Sequence, residues 1–126
     1  MGCRKMLNLN DFKVGEKAYI LYKHQGYNKR PEIIETTVKK VGRQYVTVEY
    51  FYKRFKRHGN IDGLLEHADW GELGILFKDK ESAELEKKTY TLIHNIQQYM
   101  NYLYNCKYED LKTIMDILER STGKKA

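Results

Sequence analysis

Residues 37–48 read TVKKVGRQYVTV, two runs of strand-forming residues separated by a Gly-Arg pair. Valine and threonine favour strands, in which successive side chains point to opposite faces. Glycine tolerates the backbone angles of a tight turn. The stretch therefore predicts a β-hairpin with one strand at 33–41 and the next at 44–52. In the second of these strands, one apolar face is expected to consist of Val46, Val48, Tyr50 and Tyr52.

The segments on either side of the hairpin extend it into a larger β-structure. Residues 17–22 read KAYILY and predict a strand, followed by a loop at 24–31. Residues 53–57 either end the hairpin or begin a further strand, 59–74 contain several turn signals, and 74–77 predict a closing strand. Four to five short strands separated by turns favour a small, strongly bent barrel over a flat sheet with open edges.

The last third of the chain has the period of a helix. Asp79 offers an N-cap oxygen, and a break is predicted at 105–107, before a second helix that ends at Gly123. The first helix is expected to have about 25 residues, roughly 37 Å at 1.5 Å per residue. Its apolar stripe steps by four and three along Leu85, Thr89, Leu92, Ile96, Tyr99 and Leu103. The two helices are predicted to form a hairpin with facing apolar stripes, so the fold class is α+β.

Length and composition limit the class of protein. The 126 residues, at 15.1 kDa, fit one domain, with a barrel part at 12–77 and a helical part at 79–120. A hydrophobic content of 41% is enough for a core and excludes a wholly disordered chain. The apolar run 18–22 is far too short to cross a membrane, and no signal peptide is visible at the start. We therefore expect a cytoplasmic protein that does not enter membranes.

The charge is concentrated in the first half of the chain. Residues 1–57 hold 14 Lys and Arg against 5 Asp and Glu, whereas residues 58–126 hold 9 against 12. The formal net charge of +6 thus divides into +9 for the predicted barrel half and −3 for the rest. Such asymmetry favours a polyanionic or acidic partner for one part of the molecule.

Two segments carry a resemblance to a known group. The stretch VGEKAYI at 14–20, followed by TVKKVGRQYVTV at 37–48, resembles the front of small SH3-like barrels. With Phe55 and the later helices, the layout resembles small uncharacterised bacteriophage and prophage proteins of Gram-positive bacteria. Lys107 departs from the Ser or Thr cap expected there, and residues 60–74 have no counterpart. The resemblance implies a C-terminal helical hairpin after an SH3-like barrel, a mobile-element setting and a binding role, but no activity.

Motifs for catalysis, metals and cofactors are missing from the sequence. The four histidines lie at no metal-ligand spacing, and the two cysteines form no Cys-x-x-Cys pair. His67 and Asp69 lie beside Glu66, but a polar surface loop explains this group better than a catalytic site. Cys106 has no neighbouring histidine to activate it. We predict that the protein is not an enzyme, binds no metal and needs no cofactor.

The strongest functional signal is a basic and aromatic segment at 43–57. Basic side chains can follow phosphates while aromatic rings stack on bases. If the strand were regular, Arg43, Tyr45, Lys53 and Arg57 would share one face. The candidate contacts to nucleic acid, or to a host complex that handles it, are Lys39, Lys40, Arg43, Tyr45, Lys53, Arg54, Lys56 and Arg57.

Two other classes of function stay open. Tyrosines are favoured at protein interfaces because they bury large areas with little loss of rotamer entropy. The tyrosines of the helical part cannot all lie on one helix stripe, so some should be exposed: Tyr90, Tyr99, Tyr102, Tyr104 and Tyr108. Of these, Tyr99, Tyr102 and Tyr104 are the candidates for a protein interface. They suit an anti-defence, anti-CRISPR-like inhibitor that binds a host protein directly. The third class is a homodimer formed through the stripe of the long helix.

Overall fold

The computed structural model describes residues 7–24, 30–59 and 61–124. The predicted loose arm before residue 7, the middle of the 24–31 loop and the Asn60 turn position lie outside the described residues. The elements in chain order are β1 Lys17–Tyr22, β2 Glu32–Val41, β3 Val46–Val48, β4 Arg54–Lys56, β5 Leu64–Glu66, β6 Ile75–Phe77, α1 Lys80–Tyr99 and α2 Tyr108–Thr122.

The strands form a closed antiparallel barrel. Each strand pairs with the next along the chain, and β6 returns to pair with β1, so the sheet has no open edge. Val46 lies opposite Phe55, and Phe55 lies opposite Glu66, so one row of side chains points inward across three strands. Alternation in β3 buries Val46 and Val48 as the sequence predicts, and β2 contributes the buried Val38 opposite Val48. The structure is therefore α+β, with a closed barrel followed by helices.

The strand count and the extent of β3, predicted at 44–52 and observed at Val46–Val48, differ from prediction. The described residues contain six strands rather than four or five, because β5 lies in the turn-rich segment 59–74 and has only three residues. β3 ends at Val48 instead of residue 52, since a 3-10 turn at Tyr50–Tyr52 follows it. The single apolar face predicted for 46–52 is wrong: Tyr50 is half-buried, but Tyr52 is exposed.

This 3-10 turn holds two bulky residues in the left-handed region of the backbone. Phe51 has φ 52° and Tyr52 has φ 50°, and their side chains are 77% and 73% exposed. Residues other than glycine lose roughly 1–2 kcal/mol in this conformation because Cβ approaches the backbone. The turn thus displays two rings to solvent in a conformation that costs the barrel stability.

The chain divides into two compact units, residues 1–91 and 92–126. In the first, Ala83 near the start of α1 packs with Leu21 and Phe77 outside the barrel core. Asp79 caps α1 as predicted, accepting a hydrogen bond from the Ser82 amide at 2.9 Å.

The helical part, which runs into the second unit, differs in its elements from the predicted hairpin. The predicted 25-residue helix is instead α1 followed by a 3-10 segment at Met100–Asn105. α2 begins after Lys107, which makes no side-chain cap, and ends at Gly123 in the left-handed conformation. Among the described residues of this unit none is buried; Leu92 is 60% and Leu118 48% exposed. No helix in the described parts of the chain is long and apolar enough to span a membrane.

Replacing Tyr52 by glycine is expected to stabilise the barrel relative to replacing it by alanine. Both variants remove the exposed ring, but only glycine adopts φ 50° without strain. The Tyr52→Gly variant should exceed Tyr52→Ala by about 1 kcal/mol in free energy of unfolding. Urea denaturation measures this difference, and equal stabilities would contradict the strained turn.

Candidate functional site

A row of polar side chains crosses the outside of the barrel. Lys40 on β2 lies opposite Thr47 on β3, and Thr47 lies opposite Arg54 on β4. Because directly paired residues of antiparallel strands project to the same side, this row shares one surface. The Arg54 guanidinium lies 4.8 Å from the centre of the Tyr45 ring, and His67 packs on that ring at 5.0 Å. We call Lys40, Tyr45, Arg54 and His67 the outer face.

Five of the eight predicted contacts lie on or near this surface. Lys40, Tyr45 and Arg54 belong to it, while Lys39 and Arg43 are exposed on the adjoining β2–β3 hairpin. Among the described residues, no carboxylate lies within ion-pair distance of the side chains of Lys39, Lys40, Arg43 or Arg54. Lys56 is half-buried on β4, beside Leu65.

Two predicted contacts have other partners. The expectation that Arg43, Tyr45, Lys53 and Arg57 share a face is wrong, because the turn after β3 breaks the regular strand. The Lys53 ammonium is bound to the buried Glu66 carboxylate at 2.9 Å, with an ion pair and a hydrogen bond. The charge of Lys53 is therefore neutralised by Glu66 and is not free to contact a polyanion.

Arg57 closes the loop between β4 and β5 and ties the start of the described chain to it. Its guanidinium donates to the carbonyls of Leu7 at 2.9 Å, Gly63 at 3.2 Å and Gly59 at 3.0 Å, and to that of Ile61. These carbonyls lie outside the strand ladders, and a planar fork of five N–H donors can serve several of them at once. Arg57 thus has a structural partner for each of its terminal nitrogens.

A buried carboxylate occupies one end of the barrel. Glu66 is 5% exposed and accepts hydrogen bonds from the Tyr22 hydroxyl at 2.8 Å and the Gly74 amide at 3.1 Å, besides Lys53. These donors come from β1, from the chain just before β4 and from the chain just before β6. Burying a carboxylate is costly unless it is paired and hydrogen-bonded, and here both oxygens have partners.

This arrangement shifts two pKa values in opposite ways. Burial by itself raises the pKa of Glu66, but the hydrogen bonds from Lys53, Gly74 and Tyr22 and the charge of Lys53 outweigh it, so the pKa lies below its usual value. Burial also raises the pKa of the Tyr22 phenol strongly, and the hydrogen bond to Glu66 and its charge add to this. The pair therefore keeps Glu66 ionised and Tyr22 protonated.

The connections at this end of the barrel line a shallow, open groove of about 530 Å³. The β1–β2 and β5–β6 connections meet there, because the two Glu72 oxygens contact the amide and Nδ1 of His24, the latter at 2.9 Å. His24 Nε2 lies 3.4 Å from Glu32 at the start of β2. The 3-10 turn after β3 supplies Tyr50 and Phe51 to the same groove.

Sequence reasoning missed most of this end of the barrel. The sequence favours a polar surface loop for Glu66, although period-two alternation from Leu64 is a weak signal for an inward-pointing strand position. Tyr22 lies 44 residues from Glu66 in sequence, and only the barrel register brings the two side chains together. Within the described residues, no three His, Cys, Asp or Glu side chains are grouped so that they could hold a metal ion.

The tyrosines proposed for a protein interface are all at the surface. Tyr99 is 73%, Tyr102 60% and Tyr104 fully exposed. They lie in the last turn of α1 and in the 3-10 segment that follows it. Their rings are thus available to a partner, each as a side chain of the second unit.

Comparison with known protein families assigns the chain to one of them. The sequence matches the family model described as the phage ProQ C-terminal-like domain over residues 5–121. The chain belongs to this family. As a phage ProQ C-terminal-like domain it is a small phage-type protein, as the sequence resemblance implies. No curated protein and no solved structure is similar enough to the chain to count as a match.

Neutralising Glu66 in this phage ProQ C-terminal-like domain is expected to destabilise the barrel in a pH-dependent way. A carboxylate whose pKa is lowered by folding stabilises the folded state at pH values above its usual pKa, 4.5. This contribution is lost as the pH falls towards the pKa of the carboxylate in the folded state. Glu66→Gln should lower the free energy of unfolding by about 1.5–3 kcal/mol at neutral pH, the range for hydrogen bonds to a charged group.

Urea denaturation as a function of pH measures this effect. The gap between wild type and Glu66→Gln should narrow as the pH falls below 4.5. Glu35→Gln is the matched control, because Glu35 is exposed in its ion pair with Lys17. A gap that stays constant down to strong acid would contradict the assignment of an ionised, buried Glu66.

Proposed function

We propose that this protein is a non-enzymatic binding protein that contacts nucleic acid, or a host complex that handles it, through the outer face of an SH3-like barrel. The observation that best supports this proposal is that the Arg54 guanidinium lies over the Tyr45 ring, on which His67 also packs. Lys40 and Arg54 share this surface because each is paired with Thr47. The protein needs no metal or cofactor in this role. Its setting would be the cytoplasm of a Gram-positive bacterial host.

The chemistry of the outer face supports this proposal. Lys40 and Arg54 are without carboxylate partners among the described residues, so they can replace counterions on a phosphate backbone. Arg43 and Lys39 on the adjoining hairpin extend the positive surface. The +9 charge of residues 1–57 supplies long-range attraction for a polyanion. Membership of the phage ProQ C-terminal-like family is consistent with a nucleic-acid-related role.

A double substitution of the outer face tests the proposal. Lys40→Ala with Arg54→Ala should weaken binding to a fluorescent oligonucleotide and lower the slope of log affinity against log salt by about 2, since each phosphate contact contributes about 0.9 on duplex DNA. Fluorescence anisotropy over roughly 50–200 mM salt, on single-stranded and duplex DNA and RNA, measures both.

The control keeps the number of charges removed the same. Lys87→Ala with Lys88→Ala removes two positive charges from α1 and should leave the slope close to that of wild type. Arg57 is unsuitable for this purpose, because its loss disrupts the loop that it closes. Equal slopes for the outer-face variant and the wild type would refute the proposed contact.

The second candidate function is direct inhibition of a host defence protein through tyrosines. The observation that favours it is the exposure of Tyr99, Tyr102 and Tyr104. Changing all three to alanine should remove protein partners captured from host lysate, whether or not the lysate is treated with nuclease. If nuclease treatment abolishes the capture of partners by the wild-type protein, the result favours binding of nucleic acid instead. Light scattering of the wild-type protein tests whether it forms a homodimer. A mass that corresponds to a monomer would exclude the homodimer.

A further inference from the structure

The groove at the end of the barrel differs chemically from the outer face. Its walls include the rings of Tyr22, Tyr50 and Phe51, and the carboxylates of Glu32 and Glu72 lie at its edge. Tyr50 and Phe51 meet edge to face, with ring centres 4.6 Å apart. Aromatic faces and carboxylates are the two groups that attract organic cations.

The local charge of the groove is opposite in sign to that of the surrounding chain. Glu32, Glu66 and Glu72 face it or lie beneath it, and Lys53 offsets one of these charges through its ion pair with Glu66. Among the described residues, three carboxylates thus face the single ammonium of Lys53, with His24 in contact with two of them, in a chain whose formal charge is +6. A phosphate would be repelled here, whereas a cation would be attracted.

The groove already places one cation over an aromatic ring. The Lys53 ammonium lies 5.7 Å from the centre of the Tyr22 ring while it is bound to Glu66. Phe51 is different, because its ring is 77% exposed and its left-handed backbone turns it outward. The described structure thus leaves a ring face at the rim open to a second cation.

We propose that this groove binds the guanidinium group of an arginine side chain presented by a partner protein. A guanidinium is planar and weakly hydrated, so it can stack on Phe51 while its N–H groups donate to the remaining lone pairs of Glu32 and Glu72, which also contact His24. An ammonium has no plane to stack and is more strongly hydrated, which favours arginine over lysine. The site lies apart from the outer-face residues and goes beyond the proposed nucleic-acid contact, so neither depends on the other.

The test uses the whole protein and a small arginine probe. Titration with N-acetyl-arginine amide, followed by backbone amide NMR, should give saturable shifts at residues of the 50–53 turn and around Glu72. N-acetyl-citrulline amide has nearly the same shape but no charge, and it should give no saturable shift. Equal shifts from both probes, or none up to roughly 50 mM, well into the weak range for a small ligand, would overturn the proposal.

Substitutions then assign the site. Phe51→Ala should weaken binding of the arginine probe about two- to fivefold, as expected for an exposed cation–π contact. Glu72→Gln and, separately, Glu32→Gln should weaken it further, and the amide spectrum reports whether each variant is folded. Glu35→Gln and the outer-face double variant should bind the probe like wild type. Loss of probe binding in the outer-face variant, or its retention in both groove carboxylate variants, would contradict this location.

Discussion

The buried carboxylate of Glu66 is the interaction on which this end of the barrel depends. It accepts hydrogen bonds from Tyr22, Lys53 and Gly74, three residues that no local sequence pattern connects. A buried charge must have its partners, so the chain connections that supply them are held in place. Gly74 is suited to this packing, because a Cβ there would lie 2.6 Å from Ile20 Cγ2 and 3.0 Å from the Tyr22 ring. The groove above is shaped by the same requirement.

The barrel consequently carries two surfaces of opposite chemistry. The outer face combines Lys40 and Arg54 with aromatic rings, whereas the groove combines rings with Glu32 and Glu72. Lys53 does not add to the positive charge of the outer face, because its ammonium forms an ion pair with Glu66. The two proposals thus assign a polyanion to the side of one small barrel and a cationic group to its end.

Local patterns predicted some elements well and others not at all. β1 at 17–22 and the Asp79 cap follow from strand propensity and capping chemistry, which act between near neighbours. β5 was missed because three residues are too few to establish an alternating pattern. The roles of Arg57 and Glu66 were missed for another reason: both depend on partners that only the closed barrel brings near. Interleaved basic and aromatic residues indicated Tyr45 and Arg54, but nothing local distinguished them from Lys53.

The absence of buried side chains among the described residues of 92–124 has a consequence for cooperativity. A helix of the length of α2, 15 residues, is only marginally stable in water without tertiary packing. Protection of its amides from hydrogen exchange would then arise from local opening equilibria, whereas the barrel strands open together with their core. Unfolding should therefore occur in more than one step. A measurement that follows helical signal alone would underestimate the stability of the barrel.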